Sequence, residues 1–540
     1  MILAQAIRKH RFSLLFLLAL VLIVYGNSLN NSFLSDDLAE IVQNPNIGNF
    51  NDIFSHGIGY IRPFLYWVVF QIGEFNPALF RSINIFFHLG SVFLVYTLFN
   101  LLYSKRLSFL VACLFAVHPA ISETVVWISG GMYTQYGFFF LLSFVLYLSS
   151  RERISLYWLS VTAYFLSFMS HPQMPLALFL IFPLFEGTFG NLKKNWFKML
   201  PYFLVALVFL LITLSALPER QTALQTTHYQ QGGMDNPLIT VPVSITSYFE
   251  LTLFPKTLTL YHSELSFGKT EFAGRFLITL AFFATLAISY RKNKFIFFWL
   301  SFFLITLLPT LNPFRLNWLV AERYLYIPII GILAIVGLGF DKLISSAKLR
   351  QTGYILFAIT IILFSLRTVV RNTDWKNQDN LWIATGKTSP SSPNTHNNLG
   401  DVYGRQGDKL AALQEFQKAI ELKPDYGDAY HNLANTYGEL GQLDKALENY
   451  QNALKFNPNL WQSYQNTAAV YFEQKKYDLA LLNFQKAVQM NPGNLPLQNA
   501  IGIVYLSMGD KDKARDIFQQ LLNIDPNNQT LKQELLETNK

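Results

Sequence analysis

Cysteine is nearly absent. The one residue, Cys113, sits in an apolar stretch, which excludes an internal disulfide and a cysteine metal site. Charge is sparse too: Asp, Glu, Lys and Arg make up 14% of the chain, too few to solvate an ordinary water-soluble surface along its whole length. No basic stripe with interleaved aromatics occurs, so the net charge of +8 is not a nucleic-acid signal. No small-residue cleavage pattern follows the first apolar run, Phe12 to Tyr25, only Gly26-Asn27-Ser28. That run reads as a retained first span that also acts as the targeting signal. No ligand cluster calls for a metal, and no other cofactor is indicated.

What is present divides sharply. The chain has 540 residues, 51% of them hydrophobic and 16% aromatic. Residues before about Lys387 are dominated by Phe, Leu, Ile and Val; after it Asn, Gln, Lys, Glu and Asp take over. The length and this split predict two domains, a multi-pass membrane domain over 1–386 and a polar one over 387–540.

A spanning helix needs about 20 largely apolar residues. Candidate spans, about eleven, are Phe12–Leu29, Leu79–Leu102, Leu107–Ile128, Tyr133–Leu148, Ile154–Phe168, Met174–Phe185, Met199–Leu217, Phe276–Ile288, Phe295–Leu308, Tyr326–Leu338 and Tyr354–Leu366. Every second connection is basic: Arg8, Lys9 and Arg11, then Lys105 and Arg106, Arg151 and Arg153, Lys193, Lys194 and Lys198, Arg291, Lys292 and Lys294, and Lys342, Lys348 and Arg350. Basic connections stay in the cytoplasm. The expected N-terminus is therefore cytoplasmic. The connections Asn30–Pro77, Pro218–Arg275 and Thr310–Arg323, and the polar C-terminal domain, are expected on the other side, periplasmic or extracellular in a bacterium.

Pro424, Pro458, Pro492 and Pro526 recur with the period of about 34 residues that marks tetratricopeptide (TPR) repeats. Small and aromatic residues recur in phase, for example Ala446, Tyr450 and Ala453, then Ala480, Phe484 and Ala487. Four units are expected, 393–426, 427–460, 461–494 and 495–528, followed by a terminal helix. Such arrays present a concave surface to extended peptides or protein partners, unless the array is a spacer or an oligomerisation surface.

The chemistry-bearing residues lie in or beside the outward connections. Asp36 and Asp37 stand at the membrane–water interface; Asp37 with Glu40 also reads as a capping box, which leaves Asp36 to face a cavity. Arg62 either binds a phosphate or snorkels to lipid headgroups. Asn84 and His88 share a helix face and suit interhelical hydrogen bonds. His118-Pro119 and Glu123 interrupt the third span, as a cavity lining or as a structural His–Glu pair. His171-Pro172 repeats that motif weakly. Glu322 and Arg323 put an acid and a base at the mouth of a span, beside Tyr324 and Tyr326, which read as interfacial belt residues.

These residues, in this order, resemble the transmembrane and tetratricopeptide repeat-containing (TMTC-like) family of O-mannosyltransferases and its bacterial relatives. The motifs are Asp36-Asp37, Arg62-Pro63, Asn84 with His88, His118-Pro119 with Glu123 and Trp127, Phe249 to Pro255, Ala321 to Tyr326, and Asp374-Trp375 with Leu381-Trp382. The family is similar to GT-C glycosyltransferases. The resemblance implies an all-α fold, a polytopic GT-C-like transmembrane helix bundle followed by a TPR α-solenoid. It implies transfer of mannose or a similar hexose from a polyprenyl-phosphate sugar to protein Ser/Thr or a glycan. It makes Asp36 and Asp37 catalytic, Arg62 and Arg323 candidates for the donor phosphate, and Asn84, His88, His118, Glu123, His171, Glu322 and Tyr326 cavity or supporting residues. Membrane lipids and a TPR-bound protein are the expected partners, with no nucleic acid. The chain departs from the family at Gly130-Gly131-Met132, where relatives commonly have Gly-Arg, and at Ser170-His171-Pro172, where they commonly have Ser-Lys-Glu; His171 can supply a cation near neutral pH. The competing readings are a non-catalytic membrane scaffold for envelope or secretion proteins and a transporter of lipid-linked glycans.

Overall fold

The computed structural model describes residues 2–54, 58–150, 153–218, 236–260, 262, 268–311 and 318–539, with residues 2–9 described by their backbone alone. Arg151 and the side chains of Arg8 and Lys9, three of the cations that orient the chain above, lie outside the described residues. Among the described residues all regular structure is helical. The chain forms two compact units, Met1–Ser389 and Pro390–Lys540.

Each of the eleven apolar segments falls on helix in the first unit. Six helices are long and apolar enough to cross a membrane: His10–Ser28, Pro77–Leu102, Gly131–Ser149, Leu192–Ser215, Lys269–Lys292 and Arg350–Asp374. A seventh span arises if Lys105–Val117 and Pro119–Val126, bent by 56°, count as one. The remaining segments form shorter helices, among them Ile154–Ser170, Lys294–Leu307 and Ile329–Ser345. This is the build of a membrane protein.

Helix starts follow local chemistry. Asn76, Ser104 and Asn293 each accept hydrogen bonds from backbone N–H groups of the first turn, and Pro77 occupies the first position, where no donor is needed. Two helices occupy stretches read above as polar connection. Ile61–Gly73 lies inside the first, and Pro237–Leu253 inside the second, where Val243, Ile245 and Tyr248 are buried. Their apolar runs are short or interrupted by Pro242, so neither meets the length criterion for a span.

Hydrogen bonds sort the ends of the bundle. At one end Asn31 Nδ2 donates to Asn372 O (3.0 Å) and Ser32 N–H to Lys376 O (2.9 Å). At the other Arg106 donates to Asp341 (2.5 Å) and Tyr157 OH to Lys198 O (3.0 Å). The basic connections thus meet basic connections, and the polar ones meet polar ones.

The second unit has four helix pairs, Pro393–Arg405 with Lys409–Leu422, Gly427–Glu439 with Leu443–Phe456, Trp461–Glu473 with Tyr477–Met490, and Leu495–Met508 with Lys511–Ile524, then Gln529–Glu537. Ala412, Ala446, Ala480 and Ala514 are fully buried at the seams. A Cβ on Gly502 would lie 2.4 Å from the Phe518 ring, so only glycine admits that aromatic.

The turn inside each pair needs a left-handed residue. Gly407 (φ 84), Gly441 (φ 73) and Gly509 (φ 85) supply it, whereas the third pair uses Lys475 at φ 58. A non-glycine residue there costs about 1 kcal/mol or more. Lys475→Gly is therefore expected to stabilise the third pair by about 1 kcal/mol. Slower amide hydrogen exchange across residues 461–490 checks this; faster exchange would contradict it.

Candidate active site

The break in the third apolar segment organises the polar end of the bundle. Pro119 cannot continue the helix that ends at Val117, and the chain passes through a short 3₁₀ turn, Pro119–Ile121, into Ser122–Val126. The carbonyls released on either side are met by side chains. Ala116 O accepts from His88 Nε2 (3.2 Å) and Val117 O from Thr368 Oγ1 (2.7 Å). Val126 O accepts from Arg81 Nε (2.6 Å) and Trp127 O from Asn84 Nδ2 (2.9 Å). Ile128 O accepts from Asn84 Nδ2 (3.2 Å) and Tyr66 OH (3.3 Å). With Nε2–H donating, His88 Nδ1 accepts from Tyr326 OH (3.1 Å). Asn84, His88 and Tyr326 thus act together as supports, and Gly131 leaves the room: a Cβ there would overlap the Asn84 amide.

His118 does not pair with Glu123. Its Nε2 donates to Thr252 O (2.9 Å) and its Nδ1 accepts from Ala120 N–H (3.2 Å), so it caps the 3₁₀ turn as a neutral imidazole and ties it to the helix Pro237–Leu253. Glu123 pairs instead with Arg323, whose Nη1 donates at 2.6 Å and whose backbone N–H donates at 3.2 Å. Arg323 lies over the rings of Trp127 and Tyr324. Glu322 Oε1 accepts from Arg371 (3.1 Å), His262 (3.2 Å) and Thr259 N–H (2.5 Å). Tyr324 and Tyr326 are buried, so neither is a belt residue. His171 packs on Tyr133 at 5.0 Å, and Tyr133 on Tyr324 at 5.9 Å, which brings His171 into the same wall as Arg323.

The acidic pair splits into two roles. Asp37 is fully buried. Its Oδ1 accepts from Ser129 N–H (2.8 Å) and Ser129 Oγ (2.6 Å), and its Oδ2 from Leu34 N–H (3.3 Å). It makes no side-chain cap, so the capping box with Glu40 does not form; Leu38–Val42 starts as a π turn instead. Asp36 is exposed and accepts from Ser35 Oγ at 3.4 Å. Ser35 itself is held at φ 53, a left-handed conformation that serine rarely adopts, and its N–H donates to Gln378 Oε1 (2.9 Å).

Arg62 is not free to snorkel. It pairs with Glu40 at 2.9 Å and lies over the Tyr66 ring. Glu40, Arg62, Asn44, Asp52, Tyr66 and Trp67 line a small cleft. Burial pushes the Glu40 carboxyl above its ordinary value, opposed by the Arg62 charge, and the charge of Asp36 also acts on both residues. One nitrogen, Arg62 Nη1, has no hydrogen-bond partner among the described residues.

Two buried arginines escaped the sequence reading. Arg81 is fully buried and donates to four carbonyls: Val126 (2.6 Å), Leu29 (3.0 Å), Asn31 (2.7 Å) and Ser32 (3.2 Å). Arg371 bridges Glu322 and Asp374. The signal was present in both cases: each is a charge placed inside a long apolar helix. Among the described residues no group of three or more His, Cys, Asp or Glu side chains is placed to hold a metal.

Comparison with known proteins bears out the resemblance read from the motifs. Tetratricopeptide repeat models match residues 427–460 and 471–536, and a TPR repeat model matches 411–441. Protein O-mannosyl-transferase TMTC1 of Homo sapiens is 24% identical over 495 residues, 75% of this chain and 54% of its own length. Protein O-mannosyl-transferase F38B6.6 of Caenorhabditis elegans is 25% identical over 78% of this chain and 64% of its own. Protein O-mannosyl-transferase Tmtc2 of Drosophila melanogaster is 36% identical over 131 residues, 24% of this chain. The chain spans about half the length of the first two human and mouse relatives it matches.

Burial pushes the Asp37 carboxyl up to about 6, against hydrogen bonds from Ser129 and Leu34 that favour its charged form. The folded state therefore holds this proton more tightly than the unfolded chain. Stability from Asp37 is full below about pH 4 and is lost as pH rises through about 6, a difference of about 3 kcal/mol at most. The melting temperature of the purified protein is expected to fall across that window. Asp37→Asn, which does not titrate, should flatten the fall; an identical slope in the variant would contradict the assignment.

Proposed function

We propose that the chain is a membrane glycosyltransferase. It moves mannose or a similar hexose from a polyprenyl phosphate to protein Ser or Thr, or to a glycan, on the non-cytoplasmic face, and its TPR array holds the acceptor or partner. The observation that carries this reading is the division of labour between adjacent carboxylates. Asp37 is locked in the fold, while Asp36 stands exposed on a strained turn beside the Arg62–Glu40 pair. That the similar proteins are protein O-mannosyl-transferases supports the same reaction class.

The chemistry follows from that placement. Asp36 takes the proton of an acceptor hydroxyl as its oxygen attacks the anomeric carbon. The bond from that carbon to the phosphate oxygen breaks, and the lipid phosphate leaves with the electron pair. Developing negative charge on the phosphate needs a fixed donor. Among the described residues Arg62 has one nitrogen left over after pairing with Glu40, so it serves here. Arg323 is committed more completely, to Glu123 through both backbone and side chain, and shapes the wall. Attack opposite the leaving group inverts the anomeric carbon. The proton and the phosphate charge are both handled by side chains, so the scheme calls on no metal. The lipid tail of the donor stays in the bilayer, which suits a base at the interface.

The orientation belongs to the same proposal. Asp36 sits at the end of the bundle where the polar connections meet, and the basic connections gather at the opposite end, which the positive-inside rule keeps in the cytoplasm.

Purified protein in detergent, given a radiolabelled polyprenyl-phosphate mannose and a Ser/Thr peptide, is expected to transfer the sugar. Asp36→Asn should lower kcat by roughly 10²–10⁴-fold while the melting temperature stays within a few degrees. Arg62→Met should lower it less than Asp36→Asn. Full turnover in Asp36→Asn would remove the proposed base and the mechanism with it.

A further inference from the structure

One charge cluster of the membrane unit plays no part in the site above. Arg275 stands near the start of the helix Lys269–Lys292, packed against Pro237–Leu253. Its Nη1 donates to Thr246 Oγ1 (3.0 Å) and Ser247 Oγ (3.3 Å) on that second helix. Its Nε and Nη2 both donate to one oxygen, Glu271 Oε1, at 3.1 and 2.9 Å. Glu250 Oε2 lies 3.9 Å from the same Nη2, close enough to feel the charge and too far for a hydrogen bond.

The cluster is unbalanced. One guanidinium faces two carboxylates, and among the described residues neither carboxylate pairs with another cation. One negative charge is left over. Glu271 Oε2 and both oxygens of Glu250 accept no hydrogen bond among the described residues. A primary ammonium carries one positive charge and three N–H donors. It matches the cluster in charge and in the number of open acceptors.

The cluster opens on an apolar groove between the two helices, lined by Phe249, Leu253, Phe254 and Ile278. Phe249 is its floor, backed by Phe303 at 5.1 Å and Phe282 at 5.5 Å, whereas Leu253, Phe254 and Ile278 are exposed. Gly274 also lines it, and a Cβ there would meet nothing within 4 Å. Lys269–Lys292 is one of the six helices long and apolar enough to cross a membrane, so the solvent of this groove is lipid. Arg275 stands about 24 Å along that helix from Arg291, which sets the cluster at headgroup level on the side opposite the basic connection.

We propose that the groove seats an aminophospholipid of the phosphatidylethanolamine type, its primary ammonium held between Glu250 and Glu271 and its acyl chains along Phe249, Leu253, Phe254 and Ile278. The seat is independent of sugar transfer. An anionic lipid would bring its charge against the surplus carboxylate. A choline headgroup has the positive charge but no N–H to donate. The helix Pro237–Leu253 also presents Thr252 O to His118, so a lipid bound here steadies the helix that holds the broken span.

The test is native mass spectrometry of the full-length protein in detergent, titrated with dioleoyl phosphatidylethanolamine, phosphatidylcholine and phosphatidylglycerol. The ethanolamine lipid is expected to bind about tenfold more tightly than the other two, or about 1.4 kcal/mol. Glu250→Gln removes a charge from an exposed side chain while keeping its shape, and is expected to erase that preference. Gly274→Leu fills the groove and favours helix; it is expected to weaken binding of all three lipids while circular dichroism matches the parent. Equal affinity for the three lipids, tighter binding of the glycerol lipid, or a preference kept in Glu250→Gln would each overturn the ammonium seat. Unchanged binding in a folded Gly274→Leu protein would remove the groove.

Discussion

The broken third helix is the constraint on which the polar end of the bundle depends. Interrupting a helix among apolar neighbours strands backbone carbonyls, and in lipid each unsatisfied one costs several kcal/mol. The chain meets that cost with a specific set of side chains: His88, Thr368, Arg81, Asn84 and Tyr66. They come from three different helices, so satisfying the break also fixes how those helices pack. Ser129, just past the break, then receives Asp37 and so positions the turn that carries Asp36. The geometry of the candidate base is inherited from a backbone problem solved several residues away.

The same economy governs the buried charges. An unpaired charge in this environment is expensive, so cations are found with carboxylates: Arg62 with Glu40, Arg323 with Glu123, Arg371 with Glu322 and Asp374. Arg81 is the exception in kind. It is held by four carbonyl dipoles and by the nearby charge of Asp37. Two of those carbonyls, Asn31 and Ser32, belong to the strand of chain leading into the acidic turn. Its work is to clamp that chain to the break.

Much of this was legible in the sequence, and the limits are instructive. Apolar length and proline phase located the apolar helices and the repeats because both are properties of contiguous residues. The helix break at Pro119 was readable for the same reason. Pairing was not. His118 and Glu123 are five residues apart and look like partners, yet the bend separates them: His118 turns to Thr252 and Glu123 to Arg323, 134 and 200 residues away. The capping box at Asp37 failed because Ser129 aims two donors, its N–H and its hydroxyl, at one carboxylate oxygen, which a local cap cannot match. The helix Pro237–Leu253 was missed because Pro242, with Ser and Thr around it, dilutes an apolar run that tertiary contacts bury.

The unequal treatment of Asp36 and Asp37 also fits only Asp36 to the proposed acid–base step. A general base must exchange its proton with substrate and solvent on each turnover, so its carboxylate has to be reachable and its hydrogen bonds few. Asp36 has that exposure and, among the described residues, one long hydrogen bond, from Ser35. Asp37 has three donors aimed at it and no access to water, which makes it a poor base and a good anchor. The positive φ at Ser35 is what separates them: it turns the chain between the buried Leu34 and the exposed Asp36, so that neighbouring carboxylates end on opposite sides of the surface. Strain at a single serine is tolerated there because the Asp37–Ser129 bonds on one side and the Gln378 contact on the other over-determine the turn. Weakening the anchor would therefore be felt as misplacement of the proposed base, even though the anchor itself is buried away from the surface.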